Sequence, residues 1–114
     1  MLFQTLTQEV SQLEANLCSA FADPTRILIL YALNKQPRNV TELANELGIT
    51  QPTASRHLKV LRDHGLVHTS RQGSSITYEL IDHRLIEALD ILRGILRDTI
   101  ALKANLVAEI EDRA

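Results

Sequence analysis

The sequence has no tryptophan and only four aromatic residues, Phe3, Phe21, Tyr31 and Tyr78. A core without many rings must be filled by Leu, Ile, Val and Ala, a composition that favours helices. Glycine and proline number four and three, too few for a fibrous or disordered chain. The single cysteine, Cys18, rules out an intramolecular disulfide and suits a reducing cytoplasm. No apolar run approaches the ~20 residues of a membrane span. No basic segment followed by an apolar stretch opens the chain, as a secretory leader would. The sequence also lacks a glycine-rich phosphate loop, a Ser–His–Asp set and a catalytic Cys–His pair. Ser55 and His57 are two apart on one helix and face different ways. The expectation is therefore a single cytoplasmic domain, 1–114, that is not an enzyme, needs no cofactor and has no membrane partner.

What the chain does have is hydrophobic residues, 45% of the total, in helical spacing. Phe3, Leu6, Val10, Leu13, Leu17 and Phe21 recur at steps of three and four, one stripe on a helix over 3–21. Asp23-Pro24 ends it and starts another. The Asp carboxylate can cap the new helix, and proline suits a first turn whose N–H has no partner anyway. That second helix, 24–35, carries Ile27, Leu28, Leu30, Tyr31 and Leu33 and reads as the central core element. After the loop Gln36-Pro37-Arg38, Asn39 and Glu42 resemble a capping box. A short helix, 40–47, then buries Val40, Leu43, Ala44 and Leu47 and stops at Gly48. Thr50 caps a fourth helix with Pro52 in its first turn; it buries Ala54, Leu58 and Leu61 and stops at Gly65.

There the period changes from helical to alternating. Residues 66–71 read as a strand, Gln72-Gly73-Ser74-Ser75 as a turn and 76–80 as the returning strand. Asp82 caps a final helix over 83–112, which at ~1.5 Å per residue spans ~45 Å. The fold class is mainly α with a small β-hairpin: a winged helix-turn-helix, with the helix-turn-helix at 40–64 and the wing at 66–80.

Net charge is −2, but the basic excess is local. Residues 51–75 hold Arg56, Lys59, Arg62 and Arg71 against Asp63, whereas both flanking segments are acidic. A short basic field suits a polyanion. The fourth helix presents Gln51, Thr53, Ser55, Arg56, His57 and Lys59 away from its apolar side. In a major groove Gln can bond adenine, and Arg or Lys can bond guanine. Thr50, Ser and Thr near the helix start, and the helix N-terminus, can bond phosphates. The hairpin tip, Arg71-Gln72-Gly73-Ser74, can lie along the backbone or reach an adjacent minor groove. Double-stranded DNA is the expected partner; the alternative is a winged-helix protein-interaction module that does not read DNA sequence.

The run VTELANELGITQPTASRHLKVLRDHGLVHTSRQGSSITYEL resembles the ArsR/SmtB family of winged-helix repressors, as does FADPTRILILYAL at 21–33. The resemblance covers residues 15 to 100 and is most specific at Asp23-Pro24-Thr25-Arg26, at 51–58 and at Gly65-Leu66-Val67. It implies transcription regulation by operator binding, a homodimer made by both end helices, 3–21 and 83–112, and release by an inducer that is often a metal. The positions matching one family metal site are Asn39 and Thr41, without the thiolates that soft metals need. Those matching the other are Asp82, Arg84, Ile95 and Asp98, and Arg and Ile cannot hold zinc. No metal site is expected, and the inducer, whether small molecule, metal or oxidant, stays open. Cys18 reads first as a small buried hydrophobe, with a redox or sulfur switch across the dimer axis as the sharper alternative. His64, His68 and His83 read as surface residues without partners.

The final helix shows two apolar lines, Leu85, Leu89, Leu92 and Leu96 on one, Ile91, Ile95, Leu102 and Val107 on the other. One can face its own domain, and the other needs a partner. A second copy would set two recognition helices ~34–36 Å apart, the repeat of the duplex.

Overall fold

The computed structural model of the chain describes residues 2–113, with Phe3 known by its backbone alone, so that member of the first apolar stripe lies outside the described side chains. Its elements are α1 (Leu2–Ala20), α2 (Pro24–Lys35), α3 (Val40–Leu47), α4 (Gln51–Asp63), β1 (Val67–Gln72), β2 (Ser75–Leu80) and α5 (Arg84–Arg113). This is a mainly helical winged helix-turn-helix, five helices and a two-stranded hairpin. The chain divides into two compact units, one running through Asp82 and one beginning at His83.

In the first unit, α2 packs against α3, α4 and β2. Ile29, Leu30, Leu43, Leu58, Leu61 and Val67 are fully buried. Removing such a side chain to alanine typically costs ~2–5 kcal/mol. Leu28, expected in this core, is half exposed, because α2 is enclosed on one side and open on the other. Val40 and Leu47, at the two ends of α3, are only half-buried; the fully enclosed pair is Leu43 and Ala44.

The caps of α2, α3 and α4 form as their sequences require. Asp23 Oδ1 accepts from the amides of Thr25 at 2.9 Å and Arg26 at 3.1 Å. The amide of Glu42 donates to Asn39 Oδ1 at 2.8 Å, and the amide of Asn39 to Glu42 Oε1 at 3.1 Å, completing the capping box. Gly48 takes φ +67°, and the following Ile49 amide turns back to the Ala44 carbonyl at 3.0 Å. The chain can thus leave α3 and start α4 within three residues. Leu66 is buried between α4 and β1, its amide bonded to the Leu61 carbonyl at 2.9 Å.

β1 and β2 pair antiparallel, from Val67 opposite Leu80 to Gln72 opposite Ser75. The turn is therefore two residues, Gly73-Ser74, not the four read from sequence. Gly73 stands at φ +64°, and among the described residues no residue type other than glycine has positive φ. Those are the φ signs of a type II′ hairpin turn, whose twist matches that of the strands. The loop before α3 also differs from expectation. Arg38 exchanges both backbone bonds with Tyr78, at 2.8 and 3.2 Å, adding a one-residue third strand beside β2. Its side chain is buried and bonded to Glu46.

α1 ends in the first unit with Ala20 buried, but its apolar stripe does not. Leu2, Leu6, Val10, Leu13 and Leu17 are 38% to 76% exposed. The second unit is α5, 30 residues long, with Ile86 and Leu89 buried. From Ile91 to Ile110 its large apolar side chains are 50% to 68% exposed. Among the described residues no helix is long and apolar enough to cross a membrane.

Candidate nucleic-acid interface

α4 is held on one side. Ala54, Leu58 and Leu61 are completely buried, and each residue turns the helix by ~100°. Arg56, Lys59 and Asp63 therefore stand opposite the buried line, with Ser55 and Arg62 on one flank and Thr53 and His57 on the other. Gln51, Ser55, Arg56 and Lys59 are exposed, as the sequence suggests. Nothing among the described residues pairs with Arg56.

The helix start is prepared by Thr50. Its Oγ1 accepts from the Thr53 amide at 3.3 Å and lies 2.9 Å from Thr53 Oγ1. Thr53 is half-buried, while Thr50 stays exposed. Lys59 is not a lone cation. Its Nζ donates to Asp63 Oδ2 at 2.8 Å, one turn further on, and this bond holds the Asp63 carboxyl below the usual carboxylate range. Both side chains are well exposed.

His57 is a correction. It was expected on the open face of α4, but it is half-buried, with Nδ1 3.3 Å from Nη1 of Arg26. A guanidinium has no acceptor, so this hydrogen bond requires Nδ1 to accept and leaves the ring proton on Nε2. Arg26 Nε also donates to the Ala20 carbonyl at the end of α1. The amide of Arg26, bonded to Asp23, is the main influence holding that carboxyl below its usual range.

A shallow groove runs between α4 and the wing, lined by Ser55, Lys59, Arg62, Asp63 and Tyr78. Arg62 and Tyr78 were not among the sequence candidates. The spacing 55, 59, 62 could have found Arg62, since it marks one helix flank. Tyr78 reaches the groove only through the strand register. The wing tip, Arg71, Gln72, Gly73 and Ser74, is exposed throughout.

The other candidates fall elsewhere. Cys18 is exposed, contrary to the expectation of a buried hydrophobe, because the α1 surface around it is uncovered. His64 has a partner, its Nδ1 lying 2.9 Å from the Val60 carbonyl. His68 faces Glu79 across the hairpin at 3.6 Å, since the register sets them opposite. His83 is exposed, and its carbonyl accepts from the amides of Ile86 and Glu87. Among the described residues no three His, Cys, Asp or Glu side chains come together as a metal site would need.

Comparison with known proteins places this geometry among relatives. The family profile described as "Bacterial regulatory protein, arsR family" matches residues 23–69. The chain is 40% identical over 84 residues to the HTH-type transcriptional regulator NmtR of Mycobacterium tuberculosis, covering 74% of this chain and 69% of that protein. It is 38% identical over 78 residues to the HTH-type transcriptional repressor SmtB of the same species, covering 68% of this chain and 58% of SmtB, less than two thirds of that protein. Among solved structures, NolR from Sinorhizobium fredii superposes with a TM-score of 0.71 at 36% identity, covering 78% of this chain and 89% of that one.

Proposed function

This chain belongs to the ArsR/SmtB family of helix-turn-helix transcriptional regulators, and from that premise we propose that it is a homodimeric repressor of a palindromic operator. The observation that carries the proposal is the split character of α4: Ala54, Leu58 and Leu61 are buried, while Gln51, Ser55 and Arg56 are exposed. A helix held on one side and polar on the other fits a major groove. Gln51 and Arg56 are assigned to base edges. Thr50, Thr53, Ser55, Lys59 and the helix start are assigned to phosphates. Arg71, Gln72, Gly73 and Ser74 of the wing are assigned to the flanking backbone. His57 is left out of this set, because its ring is turned to Arg26.

Pairing is supported by the exposed apolar residues of α1 and α5. Apolar faces of that extent on a small chain call for a partner, and a second copy serves an operator with two half-sites. The inducer is assigned to no site. Cys18, being exposed on α1, is the thiol through which an oxidant would act.

The test is selection of binding sites from a random duplex pool, followed by a screen of metals and thiol oxidants against the selected site. Enrichment of an inverted repeat supports the proposal. No retarded complex at low salt would overturn it in favour of a protein-interaction module.

A further inference from the structure

We propose that Arg26 is a positioning residue that fixes the direction of the recognition helix relative to α1, and so sets the half-site spacing the dimer accepts. The inference rests on the paired reading given above. Arg26 sits in the first turn of α2, its amide bonded to Asp23 Oδ1. Its side chain reaches two other helices. Nε donates to the Ala20 carbonyl, which closes α1, and Nη1 lies 3.3 Å from His57 Nδ1 on α4.

The guanidinium is a planar fork whose donors keep fixed directions. Two acceptors bonded to it are held in a fixed mutual relation, here the end of α1 and the flank of α4. Ala20 is 1% exposed, so that end of α1 is set in the fold, while the stripe beyond it is open for pairing. His57 is the neighbour of Arg56, so rotation of α4 that displaces His57 also displaces the base-reading side chain. In a dimer joined through α1, an error in this angle appears twice, once per half-site, as a change in the distance between recognition helices. One base pair is ~3.4 Å of rise, so a small angular freedom is enough to blur the spacing.

The experiment uses the full chain and synthetic duplexes carrying the selected half-sites at the preferred spacing and at one base pair more or less. Loss of stability alone would weaken binding to all three alike and leave their ratio unchanged. Arg26→Lys keeps the charge but has no fork, and His57→Leu removes the acceptor while leaving the bond to Ala20. Each is expected to cut the ratio of preferred to shifted affinity by about threefold to tenfold, and the double variant no further, because both break one link. His57→Gln, which restores an acceptor, is expected to keep the parental ratio. If Arg26→Lys does not fold, the two His57 variants carry the test. A dimeric parent whose His57→Leu variant keeps the full spacing preference overturns this inference alone. A parent that sediments as a monomer with and without DNA overturns the paired reading and this inference together.

Discussion

Arg38 and Glu46 are joined by a 2.8 Å bond from Nε to Oε2, which fastens the loop after α2 to the outer side of α3. The same arginine is tied through its backbone to Tyr78 on the wing, so helix-turn-helix and wing share one anchor. Arg38→Met is expected to lower the melting temperature by about 5 °C or more, a shift that roughly 1 kcal/mol produces in a domain of this size. The guanidinium holds the Glu46 carboxyl below its ordinary pKa. Folded Glu46 therefore stays ionised at acidities where the unfolded chain takes up a proton. The pair's contribution is complete above the ordinary glutamate value of 4.5 and fades as pH falls through the lower folded value. Parent and Glu46→Gln should differ in urea midpoint at pH 7 and converge as pH falls through the lowered folded pKa of Glu46. A gap that persists in acid would mean the pair is not the cause.

Asp23 caps α2 with two amide bonds. Asp23→Ala should cost about 1 kcal/mol, and Asp23→Asn much less, since Asn caps as well as Asp. The carboxylate, like that of Glu46, has a lowered folded pKa. Its extra stability is present above the ordinary value of 3.8 and lost as pH falls through the folded value. Chemical denaturation of the three proteins checks the order.

Arg56 and Lys59 should fail in different ways. Arg56→Ala is expected to cost about 1–3 kcal/mol on the selected operator and to relax the preference at one base pair. Lys59→Ala should weaken all duplexes evenly and reduce the log–log salt slope by ~0.9. Titrations at several salt concentrations separate the two. Identical behaviour would misassign one of them.

Asp63 is the carboxylate on the exposed face of α4, bonded to Lys59. Asp63→Asn is expected to tighten binding to random duplex several-fold at low salt, with the gain vanishing at high salt. Its melting temperature should hardly move, because exposed pairs of this spacing contribute little. An unchanged non-specific affinity would show that the Lys59 end of α4 stays clear of DNA.

The elements were legible in the sequence where their causes are local. Asp23-Pro24, Asn39 with Glu42, and Thr50 with Pro52 each act within four residues, and all three caps stand where the sequence puts them. What was missed depends on residues far apart in the chain. Arg38 meets Tyr78 forty positions on, and Arg26 meets His57 thirty-one positions on. The His68–Glu79 pair and the place of Tyr78 beside Arg62 follow from strand register. That register hangs on the two-residue turn at Gly73, which a reading of turn-forming residues made twice as long.

The one-residue strand at Arg38 leaves the small sheet asymmetric. It pairs with β2 at Tyr78, while among the described residues β1 has β2 as its one strand partner. An unpaired edge can template fibres. Here it is six residues, VHTSRQ, with one large apolar side chain, Val67, turned inward, and a cation near the tip. That edge is thereby made a poor seed for aggregation. Replacing His68 and Arg71 together with valine would remove that protection without touching the core.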